Sequence, residues 1–294
     1  MDFDDAYANM AHIPDAQSFI AKWPERAAEF RANWPQKQLD IAYGDDPRQR
    51  FDLFLPDEVA KGLAVFIHGG YWRAFAKDDW SHLAAGILAH GFAVALPSYR
   101  LAPQVPLDEI CRDAAAAVTL AAAHVDGPIH LAGHSAGGHL ATRLISGEPL
   151  LAAPLVKRIV AVTSISGVHD LRPLLHTKLN DLLAITNDIA AKESPALLMP
   201  TASVVAGEIG VNVWGGAEER PEFRRQTDLL ALSWGGLGVP VRVMHEKGRH
   251  HFDVIDGLIA SDDDLVSAVL GQGASTCFLR TCRACWKLTW IAAE

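Results

Sequence analysis

Ser135 lies within Gly133-His134-Ser135-Ala136-Gly137, and both the residue types and their spacing suit a hydroxyl used as a nucleophile. A short apolar run, Ile129 to Ala132, leads into this stretch, and small residues in a helical pattern follow from Gly138. The G-x-S-x-G pattern therefore falls on a strand-to-helix turn. A serine on so sharp a turn has a strained backbone, and only glycine two residues to either side leaves room for the chain to fold back. The helix that begins there directs its N-terminal amides at the serine, where they favour developing negative charge. The chemistry implied is acyl transfer through a covalent serine intermediate.

Such a serine needs a base, a group that orients the base, and donors for an oxyanion. His68-Gly69-Gly70-Tyr71-Trp72 follows the apolar run Leu63–Ile67, and its glycines allow backbone amides to turn toward a substrate oxygen. The amides of Gly70 and Tyr71, with that of Ala136, are the expected oxyanion donors. His68, at the strand end, is read as a loop-holding residue. The base is sought in His250-His251-Phe252-Asp253, after the last strand-like run; His251 is the first choice and His250 the second. His245 is read as structural, His134 as packing, and His139 as helix surface or core. The orienting acid should lie between nucleophile and base in chain order. The loop Gly215–Phe223 holds Glu218, Glu219 and Glu222, and position alone does not separate them.

The elements that would position these groups can be read from hydrophobic pattern. Leu63–Ile67, Phe92–Leu96, Ile129–Ala132, Ile159–Ile165, Val211–Trp214 and Val239–Met244 are short apolar runs suited to strands buried on both faces. Helical patterns over Asp78–His90, Leu107–Ala123, Ala136–Ser146 and Pro221–Trp234 separate them. This alternation predicts an α/β fold: a mostly parallel central sheet with helices on both faces. Gln38–Tyr43 and Arg50–Leu55 alternate around Gly44-Asp45-Asp46-Pro47 and predict an antiparallel hairpin at the sheet edge. Residues 1–36 read as an N-terminal arm, with Asp15 capping a helix through Ala21 and Pro24 starting another to Asn33. Residues 37–270 form the main domain, and 168–200, which breaks the rhythm, is read as a cap or lid. The Cys- and Trp-rich stretch 271–294 carries Cys277, Cys282 and Cys285 with no evident fourth ligand for zinc. It reads as an unstructured extension or a reading-frame artefact.

Composition narrows the function classes. The chain has 294 residues, half of them hydrophobic, and a net charge of −9 with no basic cluster, which argues against nucleic acid or an anionic membrane as partner. No signal-like N-terminus or membrane-length apolar run is visible, and cysteine usage suits a reducing cytoplasm. Thirteen histidines include no H-E-x-x-H pattern, so a metallohydrolase is disfavoured and no metal or organic cofactor is expected. The oligomeric state stays open, a homodimer included.

Taken together, these residues resemble the α/β-hydrolase superfamily. The H-G-G-Y-W loop is similar to that of the arylformamidase (kynurenine formamidase) branch, near the hormone-sensitive-lipase-like esterases. Pro97-Ser98-Tyr99-Arg100-Leu101-Ala102-Pro103, G-H-S-A-G-G-H-L, R-P-E-F-R-R-Q and H-H-F-D-V-I support the resemblance, which spans about residues 1–270. It implies Glu219 as the acid, with Glu218 as fallback and Glu in place of the commoner Asp, and His251 as the base. The implied reaction is hydrolysis of N-formyl-L-kynurenine to formate and L-kynurenine without a cofactor. Tyr71, Trp72 and Tyr99 would then line an aromatic substrate pocket or serve as scaffold. A carboxylesterase acting on short acyl esters shares every motif, and a non-catalytic binding protein of the same fold is the reading from another class. The stretch after Leu270 departs from the family pattern.

Overall fold

The apolar runs form the buried strands of an eight-stranded sheet in the computed structural model, which describes residues 2–272. The strands are β1 (Lys37–Ala42), β2 (Arg50–Phe54), β3 (Leu63–Ile67), β4 (Ala93–Pro97), β5 (Ile129–His134), β6 (Ile159–Ile165), β7 (Gly210–Gly216) and β8 (Val241–Glu246). Their order is β1-β2-β4-β3-β5-β6-β7-β8; β1–β2 and β2–β4 are antiparallel and every other pair is parallel. The predicted mostly parallel sheet with an antiparallel edge hairpin is what the chain adopts.

Side-chain alternation divides the core into two. Leu63, Val65 and Ile67 of β3 face one cluster, and Ala64 and Phe66 face the other. The first cluster is closed by α2 (Leu107–His124), α3 (Ala136–Arg143) and α4 (Pro221–Gly235), through residues such as Ile110, Leu140 and Trp234. The second is closed by α1 (Ala16–Asn33) and α5 (Asp264–Val269), through Trp23, Leu265 and Val266. A sheet covered on both faces explains why its central strands read as continuous apolar runs.

The N-terminal expectation is corrected in detail. One 18-residue helix, α1, runs through Pro24, and Asp15 has left-handed backbone (φ 54°) with no side-chain cap. The proline forfeits a single helical hydrogen bond. Tertiary packing outweighs that loss: Trp23 is enclosed against Trp80 (ring centroids 4.7 Å apart), Phe75 and Phe252. The helical pattern over 78–90 resolves into turns Lys77–Asp79 and Ser81–Ala84 and a short helix Ala85–Ala89. There the Ala76 and Lys77 amides donate to Asp79 Oδ2 and Ser98 Oγ, which fixes the start of the first turn.

Residues 168–200 contain the short helical segments Arg172–His176, Asn180–Leu183, Asn187–Glu193 and Pro195–Leu197. They pack beside α3, where Arg143 pairs with the largely buried Glu193 at 2.7 Å and His139 Nε2 donates to the Glu193 carbonyl. Cys277, Cys282 and Cys285 lie outside the described residues. Among the described residues, no helix is long and apolar enough to cross a membrane.

Buried histidines give the fold a pH dependence. Burial holds His68, His82 and His139 down at about 3, and His130 and His169 at about 4. An unfolded histidine titrates near 6.5. As pH falls through 6.5, the unfolded chain therefore takes up protons that the folded chain refuses, and stability drops. Each such group contributes up to about 1.4 kcal/mol per pH unit. The urea midpoint should be clearly lower at pH 5.0 than at pH 7.5; an unchanged or higher midpoint at pH 5.0 contradicts the assignment.

Candidate active site

Ser135 joins β5 to α3 with φ 55° and ψ −116°, a conformation that side-chain-bearing residues rarely adopt. The flanking glycines have a steric reason. A Cβ on Gly133 would overlap the Gly137 carbonyl, and one on Gly137 would overlap the Ile67 carbonyl. The turn is held by Ser135 N donating to the Ile165 carbonyl at 2.8 Å and His139 N donating to the Ser135 carbonyl at 3.1 Å. Ser135 is 3% exposed, so little solvent reaches it.

Leaving β3, the chain passes through Gly70 (φ 113°), Tyr71 (φ 50°) and Trp72 (φ 55°). The turn that follows is closed by the Arg73 and Ala74 amides, which donate to the Gly70 carbonyl at 3.0 and 3.1 Å. Among the described residues, the amides of Gly70, Tyr71 and Ala136 donate to no backbone or side-chain acceptor. His68 stacks on Tyr99 at 4.4 Å, and its Nδ1 lies 2.6 Å from the Gly69 carbonyl. Trp72 and Tyr99 correct an expectation. Both are 0% exposed, with Trp72 edge-on to His139 and Tyr99 Oη donating to the His68 carbonyl, so they brace the loop and offer no face to a ligand. Arg48, in the β1–β2 hairpin, adds a clamp by donating to the carbonyls of Phe75 and Tyr99.

His251 lies on the turn after β8, buried, with its ring between those of His134 (4.8 Å) and Phe223 (4.3 Å). Its Nδ1 is 3.1 Å from Glu219 Oε2. Since a carboxylate only accepts, the imidazole carries its proton on Nδ1 and leaves Nε2 free as an acceptor. Glu219 Oε1 accepts from the Gly216 amide at 2.7 Å and from Ser166 Oγ. Glu218 is exposed, and Glu222 turns away to Tyr7, Arg225 and Gln226. His250 is taken up locally, accepting from the Phe252 amide at 3.1 Å. His134 Nε2 lies 2.9 Å from the His251 carbonyl, and burial pushes the His134 ring well below its ordinary pKa, so it stays neutral. His245 pairs with Asp228 at 2.8 Å.

The fold thus brings Ser135, His251, Glu219 and the Gly70–Tyr71 loop to the ends of β5, β8, β7 and β3. Sequence reasoning missed Ser166 and Phe223. Their signals are weak: Ser166 follows β6 directly, and Phe223 is the aromatic in the P-E-F run. A second buried pair, Ser164 Oγ to His169 Nε2 at 2.8 Å, sits behind the elbow. Both members are enclosed, and His169 Nδ1 lies 2.9 Å from the Gln226 carbonyl. Among the described residues, no three His, Cys, Asp or Glu side chains group as metal ligands.

Comparison with known proteins follows the same lines. A sequence family described as alpha/beta hydrolase fold matches residues 64–205. A solved structure from Silicibacter, titled a putative thioesterase, is 42% identical, covers 92% of this chain and 99% of that one, and superposes with a TM-score of 0.86. The chain belongs to the α/β-hydrolase family. Kynurenine formamidases are also similar to it. The Danio rerio enzyme is 28% identical over 229 residues, 76% of this chain and 78% of that protein. The Salmo salar enzyme is 28% identical over 243 residues, 80% of this chain and 81% of that protein. The arylformamidase resemblance of the H-G-G-Y-W and P-E-F motifs thus has its counterpart in whole-domain similarity, and the protein is a hydrolase of the α/β fold.

Proposed function

We propose that this α/β-hydrolase cleaves a small acyl amide, N-formyl-L-kynurenine, through Ser135, His251 and Glu219. The observation that carries the reading is the buried His251–Glu219 pair, 3.1 Å apart, with the turn of His251 tied to the elbow bearing Ser135 by His134 Nε2, 2.9 Å from the His251 carbonyl. In the proposed reaction, Ser135 Oγ attacks the formyl carbon as its proton passes to His251 Nε2. Glu219 steadies the imidazolium that forms, and the Gly70, Tyr71 and Ala136 amides bind the oxyanion. Collapse breaks the C–N bond, and His251 returns the proton to the departing amine. Water, activated by the same histidine, then attacks the formyl-serine and releases formate. No residue of this scheme calls for a metal or an organic cofactor.

The relatives named kynurenine formamidase, which match most of the chain, support a formyl group. A short-chain ester or thioester is the second reading, favoured by the higher identity of the structure titled a putative thioesterase. The two separate on kcat/KM for N-formyl-L-kynurenine against p-nitrophenyl acetate and butyrate. The formamide should lead by at least about tenfold; the reverse order makes the protein a short-acyl esterase.

A further inference from the structure

The N-terminal segment 2–13 is tied to both loops that carry the proposed site. On the acid side, Arg220, next in sequence to Glu219, donates to the carboxylate of Asp5 and, at 3.1 Å, to its carbonyl. Tyr7 Oη donates to Glu222 Oε1 at 2.7 Å and accepts from Gln226 Nε2 at 3.0 Å. The Tyr7 ring is edge-on to Phe223, the residue packed on His251. On the oxyanion side, Tyr71 Oη donates to the Tyr7 carbonyl at 2.6 Å, and Asn9 Nδ2 approaches the same hydroxyl at 3.5 Å. Tyr7 and Asn9 are 5% and 4% exposed, so these ties are shielded from water.

Tyr71 needs such support. Its φ of 50° is a strained value for a residue with a side chain, and it persists only where the surroundings over-determine it. Among the described residues, both partners of its hydroxyl come from this N-terminal segment. Resting on the serine-hydrolase reading above, we propose that Tyr7 and Asn9 are positioning residues of the active site. Tyr7, docked through its hydroxyl on Glu222 and Gln226, and Asn9 beside it hold the Tyr71 side chain and thereby aim the Tyr71 amide at the oxyanion. The acid loop and the oxyanion loop are far apart in sequence, and this segment bridges them, so its displacement would loosen one wall without touching Ser135.

The test is a double-mutant cycle on Tyr71→Phe and Tyr7→Ala. Its readouts are kcat and KM on p-nitrophenyl acetate and the Ki of an aryl trifluoromethyl ketone, which forms an oxyanion on a serine. Each single variant should lower kcat about tenfold with KM within about threefold, and raise the ketone Ki by a similar factor. The double variant should be no worse than the worse single one, because both break one linkage. If Tyr7→Ala does not fold, Tyr7→Phe, which keeps the ring and loses the hydroxyl ties, takes its place. Unchanged kcat and Ki in Tyr71→Phe, or losses that multiply in the double variant, overturn the proposal. So does a fall in Tm alone, the mark of a merely structural role. Full turnover by Ser135→Ala removes the reading beneath it; an inactive Ser135→Ala beside an unimpaired Tyr71→Phe removes only this inference.

Discussion

Ser135→Ala should lower kcat on the preferred substrate by about 10,000-fold to 1,000,000-fold while leaving the protein folded. The substitution deletes one oxygen from a side chain that already lies at φ 55°, and alanine inherits the same backbone without added bulk. The bonds that hold the elbow, Ser135 N to the Ile165 carbonyl and His139 N to the Ser135 carbonyl, are main-chain bonds and survive. What is lost is the attacking atom. Any residual rate would come from water attacking a substrate held by the Gly70, Tyr71 and Ala136 amides. Circular dichroism and Tm check that the variant is folded, and turnover is followed by release of the amine. A variant that keeps more than about a tenth of the native kcat would mean that Ser135 does not form the acyl-enzyme.

Much of this arrangement is legible in the sequence, for physical reasons that differ from residue to residue. Ser135 can be read because its backbone conformation forces glycine at 133 and 137, where any Cβ would meet a carbonyl. The strands can be read because β3 to β7 are covered on both faces, so that few polar positions (His130, His134, Thr163, Ser164 and Asn212, all buried) interrupt the runs. β8 is harder to bound. It is an edge strand with half-exposed residues, and it begins at Val241 where the apolar run begins at Val239. The helix α1 is misread because proline and aspartate are local signals, whereas the enclosure of Trp23 by Trp80 and Phe252 is a contact between distant segments. Trp72 and Tyr99 fail as pocket residues for a similar reason. An aromatic beside a functional loop can face the ligand or brace the loop, and only the fold decides. The ties from Tyr7 and Asn9 to Tyr71 leave no local trace, since 62 or more residues separate the partners.

The glutamate pair gives the second large effect, and it is a contrast within one loop. Glu219→Gln should cost about 1,000-fold to 10,000-fold in kcat, whereas Glu218→Gln should stay within about twofold of native. The two residues are adjacent, and position alone does not separate them, but their surroundings do. Glu219 is 6% exposed, lies 3.1 Å from His251 Nδ1, and accepts from the Gly216 amide and Ser166 Oγ. Glu218 is exposed, with its own amide used by the Arg249 carbonyl. Glutamine at 219 keeps the size but brings an amide that can present N–H to His251. That would favour the imidazole tautomer with its proton on Nε2, where it cannot accept from Ser135. It also removes the charge that steadies the imidazolium. Because both effects act on the base, the loss should fall on kcat and leave KM near its native value. Equal losses at 218 and 219, or a loss confined to 218, would move the acid to the exposed neighbour and require the loop to rearrange when substrate binds.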